Sequence, residues 1–145
     1  MSHWFHILAG SGRDARLLHA ARLAEKAWQD GDRVALFCDD PDTAEALDGM
    51  LWSFRPEAFL PHDRLQSSDQ RPTAPIAVLE CEPATSDWDT LIIVATSLPA
   101  TADGFARLAL IASNDDDSLQ HARAQYRQLR ELGITPQVHD FRKPD

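Results

Sequence analysis

The stretch Trp4–Cys38, WFHILAGSGRDARLLHAARLAEKAWQDGDRVALFC, decides the fold. Trp4-Phe5-His6-Ile7-Leu8 is aromatic and aliphatic, a good first strand, and it ends at Ala9-Gly10-Ser11-Gly12. Asp14 then offers an N-cap. Leu17, Ala21, Ala24 and Trp28 recur at helical spacing as one apolar stripe, and Gly31 stands where a left-handed C-cap is expected. Arg33-Val34-Ala35-Leu36-Phe37-Cys38 is nearly continuously apolar, the mark of a strand covered on both faces. Strand, helix and strand in about 35 residues form a βαβ unit, so the two strands are parallel with a right-handed crossover.

The rest of the chain repeats that alternation. Asp39-Asp40-Pro41-Asp42 opens a second helix, with proline at the first helical position and carboxylates in the first turn. Ala44, Leu47 and Leu51 are its buried stripe. Residues Asp63–Pro75 are polar with no periodicity and read as a mobile loop. Ile76–Leu79 is a short third strand, and Leu91-Ile92-Ile93-Val94 is the strongest and most central one. Arg107–Ala112 suits helix or strand by periodicity, and the turn signals on either side favour a strand. Asn114–Ser118 caps a long helix over Leu119–Leu132 that stops at Gly133, and Ile134–Phe141 is an edge strand because Pro136 would break a central ladder. These elements predict one domain over residues 1–145. It is a Rossmann-like three-layer α/β/α sandwich on a mostly parallel central sheet of five to six strands.

Composition narrows the function. The chain is 43% hydrophobic and 26% charged, which suits a globular protein with a sizeable core. Its net charge of −9 argues against direct nucleic-acid binding, which requires a basic footprint. The charge is uneven, however: residues 118–145 carry five basic side chains against three acidic ones. No signal peptide or membrane span is indicated, so a cytoplasmic location is expected, with Cys38 and Cys81 as buried free thiols.

The candidate chemistry is sparse. Gly10-Ser11-Gly12 lies where phosphate loops sit, but Arg13 and Asp14 stand where a Walker motif needs lysine and a hydroxyl, and the third glycine of a dinucleotide fingerprint is missing. A nucleotide-binding or enzymatic protein using this turn is the alternative reading. The six histidines show no zinc-site spacing. The acidic runs at 39–42 and 115–117 have a structural explanation as helix starts. No catalytic residue, metal site or cofactor is therefore expected.

Two stretches rise above this background. Residues Leu47–His62 place an indole and two phenyl rings around Pro56, through which a helix cannot run. The rings are either tucked onto the core, as Leu51 and Phe54 are expected to be, or displayed to a partner. Arg123, Tyr126, Arg127 and Arg130 share one face of the last helix. That face is either a solvated surface or a seat for an acidic peptide, since guanidinium forks hold carboxylates and tyrosine adds ring contact.

The run Leu47-Asp48-x-x-Leu51-Trp52-x-Phe54-x-Pro56-Glu57-x-Phe59-Leu60-Pro61-His62 resembles the signature of the chi subunit of bacterial DNA polymerase III holoenzyme. The likeness extends over nearly the whole chain. It includes the aromatic first strand, Ala24-Glu25-Lys26-Ala27-Trp28, Gly31-x-Arg33-Val34, Leu91-Ile92-Ile93-Val94, and Arg123-x-x-Tyr126-Arg127 with Gly133. The resemblance implies a non-enzymatic adaptor of the clamp-loader complex. It implies that Trp52 and Phe59 face the psi subunit, or alternatively a repair helicase, and Leu60 and Pro61 of the same run are expected to share that face. It also implies that Arg123, Tyr126 and Arg127 receive the acidic C-terminal tail of single-stranded DNA-binding protein, and Arg130, on the same helix face, is expected to join them.

Overall fold

A computed structural model of the chain describes residues 2–55, 60–67, 70 and 72–142. Strand β1 (Ser2–Ile7) leads through helix α1 (Arg13–Gln29) to β2 (Val34–Phe37), and α2 (Pro41–Ser53) leads to β3 (His62–Leu65). Strands β4 (Ile76–Leu79) and β5 (Thr90–Ile93) follow, then a single 3₁₀ turn (Ala102–Gly104), β6 (Arg107–Ala112), α3 (Asp116–Glu131) and β7 (Gln137–Asp140). The strands form one sheet in the order β3-β4-β2-β5-β6-β1-β7, and every neighbouring pair is parallel. The βαβ reading of the first 38 residues holds, Arg107–Ala112 is a strand, β5 is the middle strand, and β7 is an edge.

The sheet has seven strands rather than five or six, and the addition is β3, inside the segment expected to be a loop. Its sequence, His62-Asp63-Arg64-Leu65, has no alternating apolar pattern, because an edge strand buries little and only Leu65 reaches the core. Polar contacts do that work instead. The Asp63 carboxylate accepts from the backbone N–H groups of Thr73 and Ala74, both at 2.8 Å, and Arg64 pairs with Glu80 at 3.2 Å.

Each face of the sheet has its own core. Leu36, Ile76, Val78, Ile92 and Ile111 meet Leu17, Ala21 and Ala24 of α1 and Leu47 and Leu51 of α2. On the other side Phe5, Phe37, Leu79, Leu91 and Leu110 meet Leu119, Ala122 and Leu129 of α3, together with Trp88 and Phe105 from the connections around β5. Cys38 is buried as expected, and its thiol is pushed up to about 12 by that burial. Cys81 is only half-buried, contrary to the expectation, because it lies between Glu80 and Glu82 in a polar connection.

The helix ends explain themselves chemically. Thr43 N–H donates to Asp40 Oδ1 at 2.7 Å and the Thr43 hydroxyl to Oδ2 at 2.8 Å, so Asp40 caps α2 and its carboxyl lies below the usual range. Asp40→Ala is expected to lower unfolding free energy by about 1 kcal/mol, read from urea denaturation. Asp14 does not cap α1; the cap position is Gly12, at φ +91°, and Asp14 lies in the first turn. Gly12 N–H is instead met by Asp115 Oδ2 at 2.8 Å, from the turn between β6 and α3.

A histidine cluster ties the edge strand β7 to α1. His6 Nδ1 and His19 Nε2 share a hydrogen bond of 2.8 Å, and the His6 ring meets His139 and Phe141 edge-on at centroid distances of 5.2 and 5.6 Å. Burial, and then the neighbouring His19 and His139, lower the pKa of His6 to about 4. An unfolded histidine titrates near 6.5, so between these values the unfolded chain binds more protons than the folded one. The contribution of His6 is therefore complete above about pH 6.5 and is lost as pH falls towards 4. Melting curves at stepped pH should show the midpoint falling across that window, and His6→Gln should flatten the fall.

Candidate protein-binding faces

Helix α2 builds the first face. Leu51 is turned inward and buried, so the next residue, about 100° further round the helix, is turned outward, and Trp52 is 56% exposed. The helix closes at Ser53, whose hydroxyl donates to the Gly49 carbonyl at 2.9 Å, and Phe54 packs partly against the core below. Arg55 then reaches Glu25 of α1 at 2.7 Å, fixing where the chain leaves the helix. Leu51 and Phe54 thus take the core positions expected of them. Leu60 does not lie on the surface as expected. It is 2% exposed and belongs to the core under α1 and α2, because the chain must turn inward there to enter β3. Pro61 is half-buried beside it. Phe59 lies outside the described residues.

Beneath the indole sits a group whose role the sequence did not reveal. The His62 side chain is 1% exposed, and its ring meets that of Trp52 edge-on at 4.8 Å. Its Nδ1 lies 2.8 Å from the Leu60 carbonyl oxygen, which can only accept, so Nδ1 carries a proton. Nε2 faces Asp48 Oδ1 at 3.1 Å, off the direction of a hydrogen bond.

Helix α3 builds the second face. Leu119, Ala122, Gln125 and Leu129 are buried, with Gln125 Nε2 donating to the Ala95 carbonyl at 2.9 Å. Arg123, Arg127 and Arg130 are exposed, and among the described residues none of them forms an ion pair. Tyr126 is half-buried at the boundary between these stripes, its ring 5.7 Å from that of Phe5. The four residues are therefore brought together as one basic strip with a fixed aromatic floor. Helix α2 packs on β3 and β4 with one layer, whereas α3 packs on β6 with the other. The two faces are spatially separate.

A third location, next to the Gly10–Gly12 turn, is a crevice of about 370 Å³ at the carboxyl ends of β5 and β6, between the first turns of α1 and α3. Ligands of open α/β sheets often bind there. Arg13 and Arg16 line it, but so do Asp115 and Asp117, and Asp115 already occupies the Gly12 N–H that a phosphate would need. The amino end of α1 carries its own carboxylate. Among the described residues no three His, Cys, Asp or Glu side chains are arranged to hold a metal ion.

The comparisons with known proteins agree over almost the full length. A family model described as DNA polymerase III chi subunit, HolC, matches residues 1–137. The chain is 38% identical over 135 residues to DNA polymerase III subunit chi of Pseudomonas aeruginosa, covering 93% of each. It is 31% identical to the subunit of the same name from Escherichia coli, over 77% of this chain and 76% of that protein. The chain belongs to the DNA polymerase III chi subunit family. A Haemophilus influenzae relative of the same name, 30% identical over 79% of each chain, agrees.

Membership in the chi family makes this an accessory subunit of a replicative DNA polymerase, not a catalytic chain. No helix among the described residues is long and apolar enough to cross a membrane. The contacts that sequence reasoning missed, His62 with Trp52 and Asp115 with Gly12, each join elements that only the fold brings together. Asp115 and Gly12 are 103 positions apart, so no local signal marks that bond.

Proposed function

We propose that this chi-family chain is a two-faced adaptor. One face, to which we assign Trp52, Phe59 and Pro61, holds the psi subunit of the clamp loader. The other, formed by Arg123, Tyr126, Arg127 and Arg130, holds the acidic C-terminal tail of single-stranded DNA-binding protein. Such an adaptor works in the cytoplasm and links the polymerase assembly to the coated template without touching DNA itself. An acidic chain is suited to this, because neutralising phosphates requires clustered cations.

The observation that carries the proposal is the strip on α3. In a chain of net charge −9, three exposed guanidinium groups without ion-pair partners among the described residues surround one half-buried phenol. Carboxylates recruit guanidinium forks, and the Tyr126 ring offers contact to an apolar side chain. The test is a calorimetric titration with a synthetic peptide that has several aspartates and a terminal phenylalanine, repeated from 50 to 500 mM salt. Micromolar binding that weakens steadily with salt is expected, since exposed charge pairs are screened within about 8 Å at physiological ionic strength. Affinity that is absent, or unchanged across this range, contradicts the reading.

A further inference from the structure

Trp52 stands at the last turn of α2, 56% exposed, with its ring against that of His62. Helical side chains lean towards the preceding turn, which places Trp52 over Asp48, four residues earlier. Between them lies His62, delivered from a different element. Its backbone is held in β3 opposite Ile76, and its Nδ1–H is committed to the Leu60 carbonyl at 2.8 Å. The imidazole therefore cannot turn freely. One edge faces the Asp48 carboxylate at 3.1 Å, and the ring meets the indole at 4.8 Å with the planes 64° apart, the edge-on arrangement aromatic pairs favour. A side chain 1% exposed thus lies directly under one that is 56% exposed.

We infer that His62 is a positioning residue: wedged between Asp48 and Trp52, it holds the indole in one orientation before a partner arrives. The inference rests on the reading of the Trp52 face as the psi-binding face, and adds what makes that face rigid. A side chain already fixed has less freedom to lose on binding, a difference worth roughly two- to tenfold in affinity. The wedge also joins α2 to the first residue of β3.

The test labels the protein with 5-fluorotryptophan, whose four fluorine resonances report Trp4, Trp28, Trp52 and Trp88 separately, with Trp52 assigned through Trp52→Phe. His62→Asn preserves a donor for the Leu60 carbonyl and removes the ring. It is expected to shift and narrow the Trp52 line alone, to weaken psi binding two- to tenfold, and to leave binding of the acidic peptide unchanged. If His62→Asn does not fold, as the other three lines would show, the half-exposed Asp48→Ala removes the opposite side of the wedge and should move the same line. A Trp52 line that stays in place in the folded variant overturns the inference. So does a shifted line with unaltered psi affinity while Trp52→Ala still abolishes the complex. A complex that survives Trp52→Ala brings down the partner reading, and this inference with it, whatever the fluorine spectrum shows.

Discussion

Trp52→Ala is expected to abolish capture of the psi subunit while the acidic tail peptide still binds with wild-type affinity. The effect should be large because Trp52 is the large hydrophobic side chain exposed on the described part of this face. Central tryptophans of interfaces commonly cost 2 kcal/mol or more on truncation, which is a loss of at least roughly thirtyfold. It should also be clean. A side chain 56% exposed leaves no sealed cavity when shortened, so the melting temperature should move little, and the change would report binding rather than unfolding. Surface-immobilised psi with both variants in solution gives the measurement. Retained binding removes Trp52 from the interface. Loss of both ligands together would mean misfolding or a shared site, against the separation of α2 and α3 on opposite layers.

The second large effect is expected from Arg123→Ala combined with Tyr126→Ala. Hydrogen bonds to charged groups contribute about 1.5–3 kcal/mol each, so losing Arg123 alone should weaken the tail peptide about tenfold or more. Tyr126 has two roles. Its outer edge faces the strip, while its ring packs near Phe5 and thereby fixes the floor between Arg123 and Arg127. Truncating it removes contact for the peptide and some core packing as well, so a fall in melting temperature is expected beside the loss of affinity. The double variant should weaken the peptide roughly a hundredfold if the two act independently. Tyr126→Phe separates the contributions, since it keeps the ring against Phe5 and removes only the hydroxyl. Wild-type and double-variant affinities that coincide would end the assignment of this face.

Sequence patterns reveal fold and site unevenly, for physical reasons. The β1-α1-β2 unit is legible because strands buried on both faces must be continuously apolar, and Val34–Phe37 is. The start of α2 is legible because Asp40 caps locally, three residues from its donor. Strand β3 is illegible because an edge strand held by Asp63 and Arg64 has no apolar alternation to display. The site divides in the same way. The strip on α3 shows in helical spacing alone, since all four residues lie on one element. Leu60 misleads: a leucine between rings and a proline looks like part of a displayed surface, yet the turn into β3 drives it beneath α2. The contacts of His6 with His19 and of His62 with Trp52 depend on which helix covers which strand, and no periodicity encodes that.

The proposed adaptor is one small domain-sized chain that holds two ligands on two independent faces. It is tested most directly by a crossed titration, in which Trp52→Ala and the Arg123→Ala/Tyr126→Ala variant are each measured against psi and against the acidic peptide. Each variant is expected to lose one ligand and keep the other at wild-type affinity. Equal weakening of both ligands by either variant, with the fold intact by melting curve, would contradict it.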